Sequence, residues 1–266
     1  MFTTNNSKNR FQYLLFEVNE GIGFIKINRP EQRNALNWET LLELEEAINL
    51  CEQLSEVKVI VITGEGKKSF AAGADIKQLQ ERSILEALLP GMQATYKRIE
   101  NCSKGTIAVI NGYALGGGCE LALACDIRIA ADHSLMGLPE LNLSIIPAAG
   151  GTQRLGRIIG KGRAMDMILT GKLVGGKEAE VIGLVSRSVP YEQLWDAVKE
   201  TTSQIMKKGP VAVQLAKMVV HRGFDVDLDT AMMLEKMAQS IAFGTDDKNE
   251  GIQAFLEKRT PNFLNR

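Results

Sequence analysis

An α/β core followed by an all-helical tail is the fold class the sequence predicts, on three observations. VKVIVITG (57–64) is a continuous β-branched run ending in glycine, the mark of a strand buried on both faces. Up to about residue 190, strand-like and helix-like stretches alternate, as a layered α/β domain requires. Beyond LVSRSVP (184–190) only helical patterns remain.

Taken in order, FQYLLFEV (11–18), the turn NEG and IGFIKIN (22–28) predict a β-hairpin of aromatic and β-branched residues. WETLLELEEAINLCEQL (38–54) carries apolar residues at helical spacing with acids on the opposite face. The buried strand 57–64 follows, then a helical stretch over roughly 84–101. TIAVIN (106–111) and DIRIAA (126–131) predict two further strands, with NGYALGGGCELALAC (111–125) between them. Four helices end the chain: YEQLWDAVKETTSQIMKK, VAVQLAKMVVHRGF, LDTAMMLEKMAQSIAFG and NEGIQAFLEKR. A boundary near residue 205 divides a core (1–204) from a helical C-terminal region (205–266). Met232, Met233, Leu234 and Met237 form a stripe that must be buried, against the chain's own core or against another subunit.

Bulk properties exclude several function classes. The 266 residues carry a formal net charge of −1, which offers no bulk attraction to nucleic acid or an anionic membrane. Cys51, Cys102, Cys119 and Cys125 show no CxxC spacing and read as reduced, buried thiols. His133 and His221 are not spaced as zinc ligands, so no metal is expected and a Ser–His triad has little raw material. The start, MFTTNNSKNRFQ, lacks the apolar core of a signal peptide, and no run approaches the ~18 apolar residues of a membrane span. A cytoplasmic location is the expectation. TGEGKKS (63–69) lacks the glycine spacing of a phosphate loop, and ALGGGCE does not form GxGxxG, so a nucleotide cofactor is not expected.

The chemistry collects in four stretches. Gly116–Gly118 run into a short apolar helix whose first turn carries one acid, Glu120. A turn plus an acid that offsets the helix dipole, for ~0.3–1 kcal/mol, explains that stretch without any function. The sharper reading is a set of bare N–H groups at a helix start, able to bind an oxyanion, with a working carboxylate beside them. SFAAGADIK (69–77) holds a small-residue loop, LPELNLSIIP (138–147) places Glu140 in apolar surroundings, and AAGGTQRLG (148–156) is a glycine loop leading into a helix. Each also has a structural explanation: tight packing, a turn acid, a helix start.

Together RPEQRNALN (29–37), SFAAGADIK, NGYALGGGCELALACDIRIAA, MGLPELNLSIIPAAGGTQRLGR and EGIQAFLEKRTPNF resemble the enoyl-CoA hydratase (crotonase) family, in order over nearly the whole chain. The resemblance implies a crotonase-like spiral of repeated ββα units with a helical C-terminal trimerisation region, as a homotrimer or a hexamer (dimer of trimers). It implies an acyl-CoA substrate and no cofactor. Oxyanion donors fall on the N–H groups of Ala74 and Gly117, and the acid/base pair on Glu120 and Glu140. Substrate binding falls on Arg33, Ala35, Ala72, Asp75, Ile76 and Lys77, with Lys258 or Arg259 from the tail. One oxyanion donor is worth ~2.7–4 kcal/mol, and a positioned acid or base about 10²–10⁴-fold. A helix of about eight residues and a returning strand each cover ~12 Å, so convergence of two acids twenty residues apart is feasible.

Ala148 stands where the family usually has glycine, and Met136 where Phe is frequent. ELALACDIRIAA, MGL and LSIIP also resemble methylglutaconyl-CoA hydratases, which leaves the acyl group open. Family isomerases generally lack the full Glu pair, so both acids point to water addition. Some relatives bind RNA through a lysine-rich early helix. Here residues 38–56 carry Glu39, Glu43, Glu45, Glu46, Glu52 and Glu56 and no Lys or Arg, a face that repels phosphate. QLQERSILEALLPGM (78–92) is expected to flank the acyl pocket, and Lys77, Arg82, Lys97 and Arg98 are candidate cations for a distal substrate carboxylate.

Overall fold

The computed structural model describes residues 10–265; the polar start, residues 1–9, lies outside them. The hairpin forms from β1 (Leu14–Asn19) and β2 (Ile22–Ile27), paired antiparallel. After α1 (Trp38–Gln53) the chain enters a repeating unit: a strand, a short second strand, then helix. The first turn is β3 (Val59–Gly64), β4 (Ser69–Ala71) and the helices α2 (Ile76–Glu81), α3 (Ile84–Ala87) and α4 (Gly91–Glu100). The second is β5 (Gly105–Ile110), β6 (Tyr113–Leu115) and α5 (Gly117–Ala124). The third is β7 (Ile127–Ala131), β8 (Leu135–Gly137), a 3-10 turn over Glu140–Leu143, and α6 (Gly151–Ile159). Then come α7 (Lys161–Thr170), β9 (Val174–Gly175), α8 (Gly176–Val181), β10 (Arg187–Val189) and α9 (Leu194–Met206). The tail is α10 (Pro210–Gly223), α11 (Leu228–Phe243) and α12 (Asp246–Leu256).

First strands of successive turns join one six-stranded sheet, β1-β2-β3-β5-β7-β10, while second strands join a separate sheet, β4-β6-β8-β9. Within each sheet the strands of the three turns run parallel. The chain is thus a spiral of ββα units. β3 is buried along its whole length, as its unbroken apolar run predicts. Ile60 and Ile62 face the inner core with Leu44, Phe70 and Leu121, while Val59 and Val61 face Leu194, Ala197 and Val198 of α9.

One sequence expectation needs correction. The helical stretch over 84–101 is two helices, α3 and α4, interrupted at Leu88–Pro90, because the proline ring removes an N–H and disfavours helix in the residue before it. The strands of the second sheet, implied by the family resemblance, have no counterpart in the local pattern of the sequence. They are two or three residues long and rich in small side chains, too short to show alternation.

The acidic face of α1 is structural. Glu43 accepts from Gln12 N and Tyr13 N at 2.8 Å each, anchoring the chain ahead of β1. Glu45 accepts from Thr95 Oγ1 at 2.6 Å, and Glu52 from Ser103 N at 2.7 Å. All four cysteines are free and buried. His221 on α10 meets Asp126 Oδ1 at 3.0 Å, and Lys217 meets Asp126 Oδ2 at 2.8 Å, fastening the tail to the core. Met232, Met233 and Met237 stay more than half exposed within this one chain. No helix of the described residues is long and apolar enough to cross a membrane.

Contacts between turns of the spiral leave no room at Gly118, where a Cβ would lie 2.0 Å from the carbonyl oxygen of Ala71. Gly118→Ala is expected to cost at least about 2 kcal/mol by overpacking. Gly162, on α7 with nothing within 4 Å of its Cβ position, is the control. Gly162→Ala is expected to stabilise by roughly 0.4–1 kcal/mol. Urea unfolding of both variants measures the difference.

Candidate active site

The ββα repeat brings distant residues together because each turn contributes the same point of its path. β4, β6 and β8 lie side by side and parallel, with Ala71 opposite Ala114, and Leu115 opposite Gly137. The segments leaving their C-terminal ends are therefore neighbours: Ala72–Asp75, Gly116–Glu120 and Leu138–Glu140. This is how acids twenty residues apart converge.

The first two segments supply bare amides. Ala74 bridges Leu36 in parallel fashion, with Leu36 N donating to Gly73 O at 2.8 Å and Asp75 N to Leu36 O at 3.0 Å. That pattern turns Ala74's own N–H away from the bridge. Gly117 is the first residue of α5, where no intrahelical acceptor exists. Among the described residues neither N–H has an acceptor. A Cβ on Gly117 would lie only 3.5 Å from Ala74 N, so the two donors flank one small space. Gly116 enters α5 at φ 51°, a conformation glycine adopts without penalty.

Glu120 is buried, with 3% of its surface exposed. Its Oε1 accepts from Ala149 N and Gly151 N, both at 2.8 Å. Burial pushes its carboxyl up; the two amides and the charge of Arg154 work against that. Glu140, at the start of the 3-10 turn, is pushed up to about 7, first by burial and further by the charge of Glu120. Glu140 Oε2 is buried without a partner, while a Cβ on Gly116 would lie 3.2 Å from its Oε1. One acid is thus held by backbone and the other is free to exchange a proton.

Both acids and both amides line a pocket of about 450 Å³. Its apolar wall includes Leu79, Leu88, Leu89, Met92, Ile145 and Ile146, so the segment 78–92 does border it. A larger cleft of about 800 Å³ lies behind α4, lined by α6 and α10 and sharing Leu88, Pro90 and Gln93 with the first. Lys97 and Arg154 pair there with Glu100, Arg157 with Asp225, and Asp126 with Lys217 and His221, while Arg128 donates to the carbonyls of Leu184 and Cys125 and Arg222 to Asn101. The two acids and the two unoccupied amides are together only in the smaller pocket.

Ala72, Ala74, Ile76, Gly117, Glu120 and Glu140 line the pocket; Arg33, Ala35, Asp75, Lys77 and Lys258 lie outside its lining. Asp75 takes Arg29 Nη2 at 3.1 Å and caps α2 through Lys77 N. Ala35's carbonyl accepts from Arg29 Nη1, and Arg33's carbonyl accepts Ala72 N at 3.1 Å. Arg259 is bound to Glu250 and Glu257, and Lys258 is exposed. Of the candidate cations, Arg82 lines the pocket but donates to Glu86 O, and Arg98 pairs with Glu52.

Sequence reasoning missed the supports. Buried Asn34 donates through Nδ2 to Ser69 O at 2.8 Å and accepts Arg29 N at 3.0 Å, tying 29–36 to β4. Tyr96, fully buried, donates its hydroxyl to Gly117 O at 2.7 Å. Met92 Sδ is 3.0 Å from the Cβ position of Gly117. The signal for α4 is the spacing 92, 96, 100, one face of a helix.

The profile of the enoyl-CoA hydratase/isomerase family matches residues 17–266. The chain belongs to that family. A curated relative, crotonyl-CoA hydratase of Syntrophomonas wolfei, is 43% identical over 96% of this chain and 99% of its own length. Short-chain-enoyl-CoA hydratase of Clostridium acetobutylicum is 42% identical over 92% of this chain and 95% of its own. A crystal structure of an enoyl-CoA hydratase from Bacillus anthracis superposes with TM-score 0.92 at 40% identity, covering 96% of this chain and 100% of the other. Membership in the enoyl-CoA hydratase/isomerase family accounts for the spiral, whose expected ββα repeat is the one observed.

The paired acids of the pocket carry a measurable electrostatic signature. In a ¹³C-carboxyl titration, Glu140 is expected to change protonation near pH 7, and Glu120→Gln is expected to lower that midpoint by removing a like charge. A carboxyl raised in the folded state adds stability below its unfolded value and loses it as pH rises through the folded value. Glu140→Gln should therefore raise Tm at pH 8 and change it little at pH 4. A Glu140 midpoint below 5, or no pH dependence of the Tm difference, would contradict the assignment.

Proposed function

We propose that the chain is an enoyl-CoA hydratase, adding water reversibly across the Cα=Cβ bond of a 2-enoyl-CoA thioester. The observation that carries this is the pairing of two unoccupied amides with two acids of unequal environment in one apolar-walled pocket. The thioester oxygen lies against Ala74 N–H and Gly117 N–H, which are aimed beforehand at the charge the enolate develops. Glu120 orients water and accepts its proton as oxygen bonds to Cβ; the π electrons move onto the thioester oxygen. Glu140, protonated, then delivers its proton to Cα as the enolate collapses.

The cycle begins with Glu140 protonated and Glu120 ionised and ends with the reverse, so the pair always carries one proton. Exchange with solvent resets it. The coenzyme nucleotide is gripped by backbone of 33–36 and 71–75, with Arg33, Ala35, Ala72, Asp75, Ile76 and Lys77, and with Lys258 on a phosphate. The relatives' names support a short acyl chain, and give none to the methylglutaconyl group. The half-exposed Met232, Met233 and Met237 support a homotrimer or hexamer assembled through residues 205–266, against the core 1–204. A cytoplasmic location goes with this reading.

Crotonyl-CoA hydration tests the proposal. Glu120→Gln and Glu140→Gln are each expected to lower kcat by at least ~10²-fold with folding retained. Since the reaction takes up and releases no net proton, kcat/KM for hydration and dehydration should follow one bell-shaped pH profile, belonging to the pair. Loss of the last proton sets its alkaline limb near or above about 7. Near-normal turnover by either variant, or an alkaline limb well below about 7, would overturn the mechanism.

A further inference from the structure

We propose that Arg154 is a positioning residue for Glu120: clamped by Glu100, it fixes the loop whose amides hold the Glu120 carboxylate and sets a positive charge behind it. The inference rests on the hydratase reading for its turnover readout only. Nothing in the family assignment gives Arg154 a role. Its geometry does.

Arg154 Nη1 donates to the carbonyl of Ala149 at 2.9 Å, while Nε and Nη2 reach Glu100 at 2.9 and 3.3 Å. The amide of the same Ala149 donates to Glu120 Oε1, as does Gly151. One residue therefore separates the arginine's fork from the catalytic acid. A Cβ on Gly150 would lie 2.1 Å from Arg154 Nη1, and a Cβ on Gly151 would lie 2.8 Å from Glu120 Oε1. Gly150 sits at φ 103°, which favours glycine whatever stands beside it, and packs against the arginine; Gly151 makes way for the acid.

The ion pair is well shielded, with side-chain exposures of 13% for Arg154 and 14% for Glu100, so its field is weakly screened by water. Burial works to raise Glu100, yet the bonds from Arg154 and Lys97 bring it down to about 2, so it stays ionised. The charged and titratable groups facing Glu120 are Arg154 from α6, Glu140 from the 3-10 turn, Tyr96 from α4 and Cys119 from α5. Behind Arg154 stand Glu100 and Lys97. Among the described residues, Arg154 is the one cation facing Glu120 directly. Burial pushes both Tyr96 and Cys119 up, so both remain neutral at working pH.

Arg154→Met, Arg154→Lys and Glu100→Gln test the inference through the acid limb of the kcat/KM profile on crotonyl-CoA. Removing the cation should move that limb upward by about one unit, with kcat down at least about tenfold and KM little changed. Removing the anion that offsets the cation, in Glu100→Gln, should move the limb the opposite way. Arg154→Lys keeps the charge without the fork, so the limb should return near its original place while kcat recovers only in part. A scaffold role alone would lower Tm in all three without opposite shifts. A limb that stays in place in Arg154→Met and in Glu100→Gln, or moves the same way in both, overturns the proposal. Should Arg154→Met not fold, Glu100→Gln still reads the sign: its limb must move down while that of Arg154→Lys stays near the wild-type place, and a Glu100→Gln limb that stays or rises overturns the proposal. Wild-type turnover of crotonyl-CoA, lost in Glu120→Gln, checks the hydratase reading separately. If that reading fails, a ¹³C titration of the Glu120 carboxyl in the same variants reads the shifts without turnover.

Discussion

Ala71's carbonyl oxygen and the Cα of Gly118 touch, and that contact sets the geometry of everything around the pocket. It is possible because the second strand of each ββα turn is short, small in side chain and parallel to its neighbours. With β4, β6 and β8 in step, the chain leaves three adjacent strands at one end of the sheet. Each exit supplies a different part: the Ala74 amide, the Gly117 amide with Glu120, and Glu140. The central strands β3 and β5 of the six-stranded sheet behind, buried along their whole length between two apolar clusters, support the strands of the smaller sheet.

Electrostatics divides the labour between two acids of the same kind. Glu120 is gripped by two amides and faces a cation; Glu140 has a buried oxygen without a partner and an acid for a neighbour. Burial favours the neutral form of both, and fixed amides favour the ionised form of one. Their protonation states are therefore kept apart by the backbone. Helix α4 underlies this arrangement: Met92 lies against Gly117, Tyr96 bonds its carbonyl, and Glu100 holds Arg154.

The legible parts of the sequence were those with a strong local signal. The unbroken run of β3, the amphipathic α1 and the hairpin all form where the pattern puts them. Glu120 and Glu140 stood out because an acid in apolar surroundings is conspicuous, and the motifs around them tied the chain to its family. The short strands of the second sheet were invisible, since SFA, YAL and LMG carry no periodicity and owe their pairing to the spiral itself. Tyr96, Asn34 and Arg154 were missed for a related reason. Each bonds to a group distant in sequence, Asn34 to Ser69 O, Tyr96 to Gly117 O and Arg154 to the Glu100 carboxylate, and no local pattern marks such a bond. The double glycine 150–151 was visible, but the reason for Gly151 appears only once the side chain of Glu120 is in place.

The central claim is that two free amides receive a thioester oxygen. Infrared difference spectroscopy with the bound acyl-CoA labelled at its thioester carbonyl tests this most directly. The carbonyl band is expected to fall in frequency on binding, as two hydrogen bonds polarise it, and to stay lowered in Glu140→Gln, where the amides are intact. A bound carbonyl that absorbs where the free thioester does in water would contradict the account.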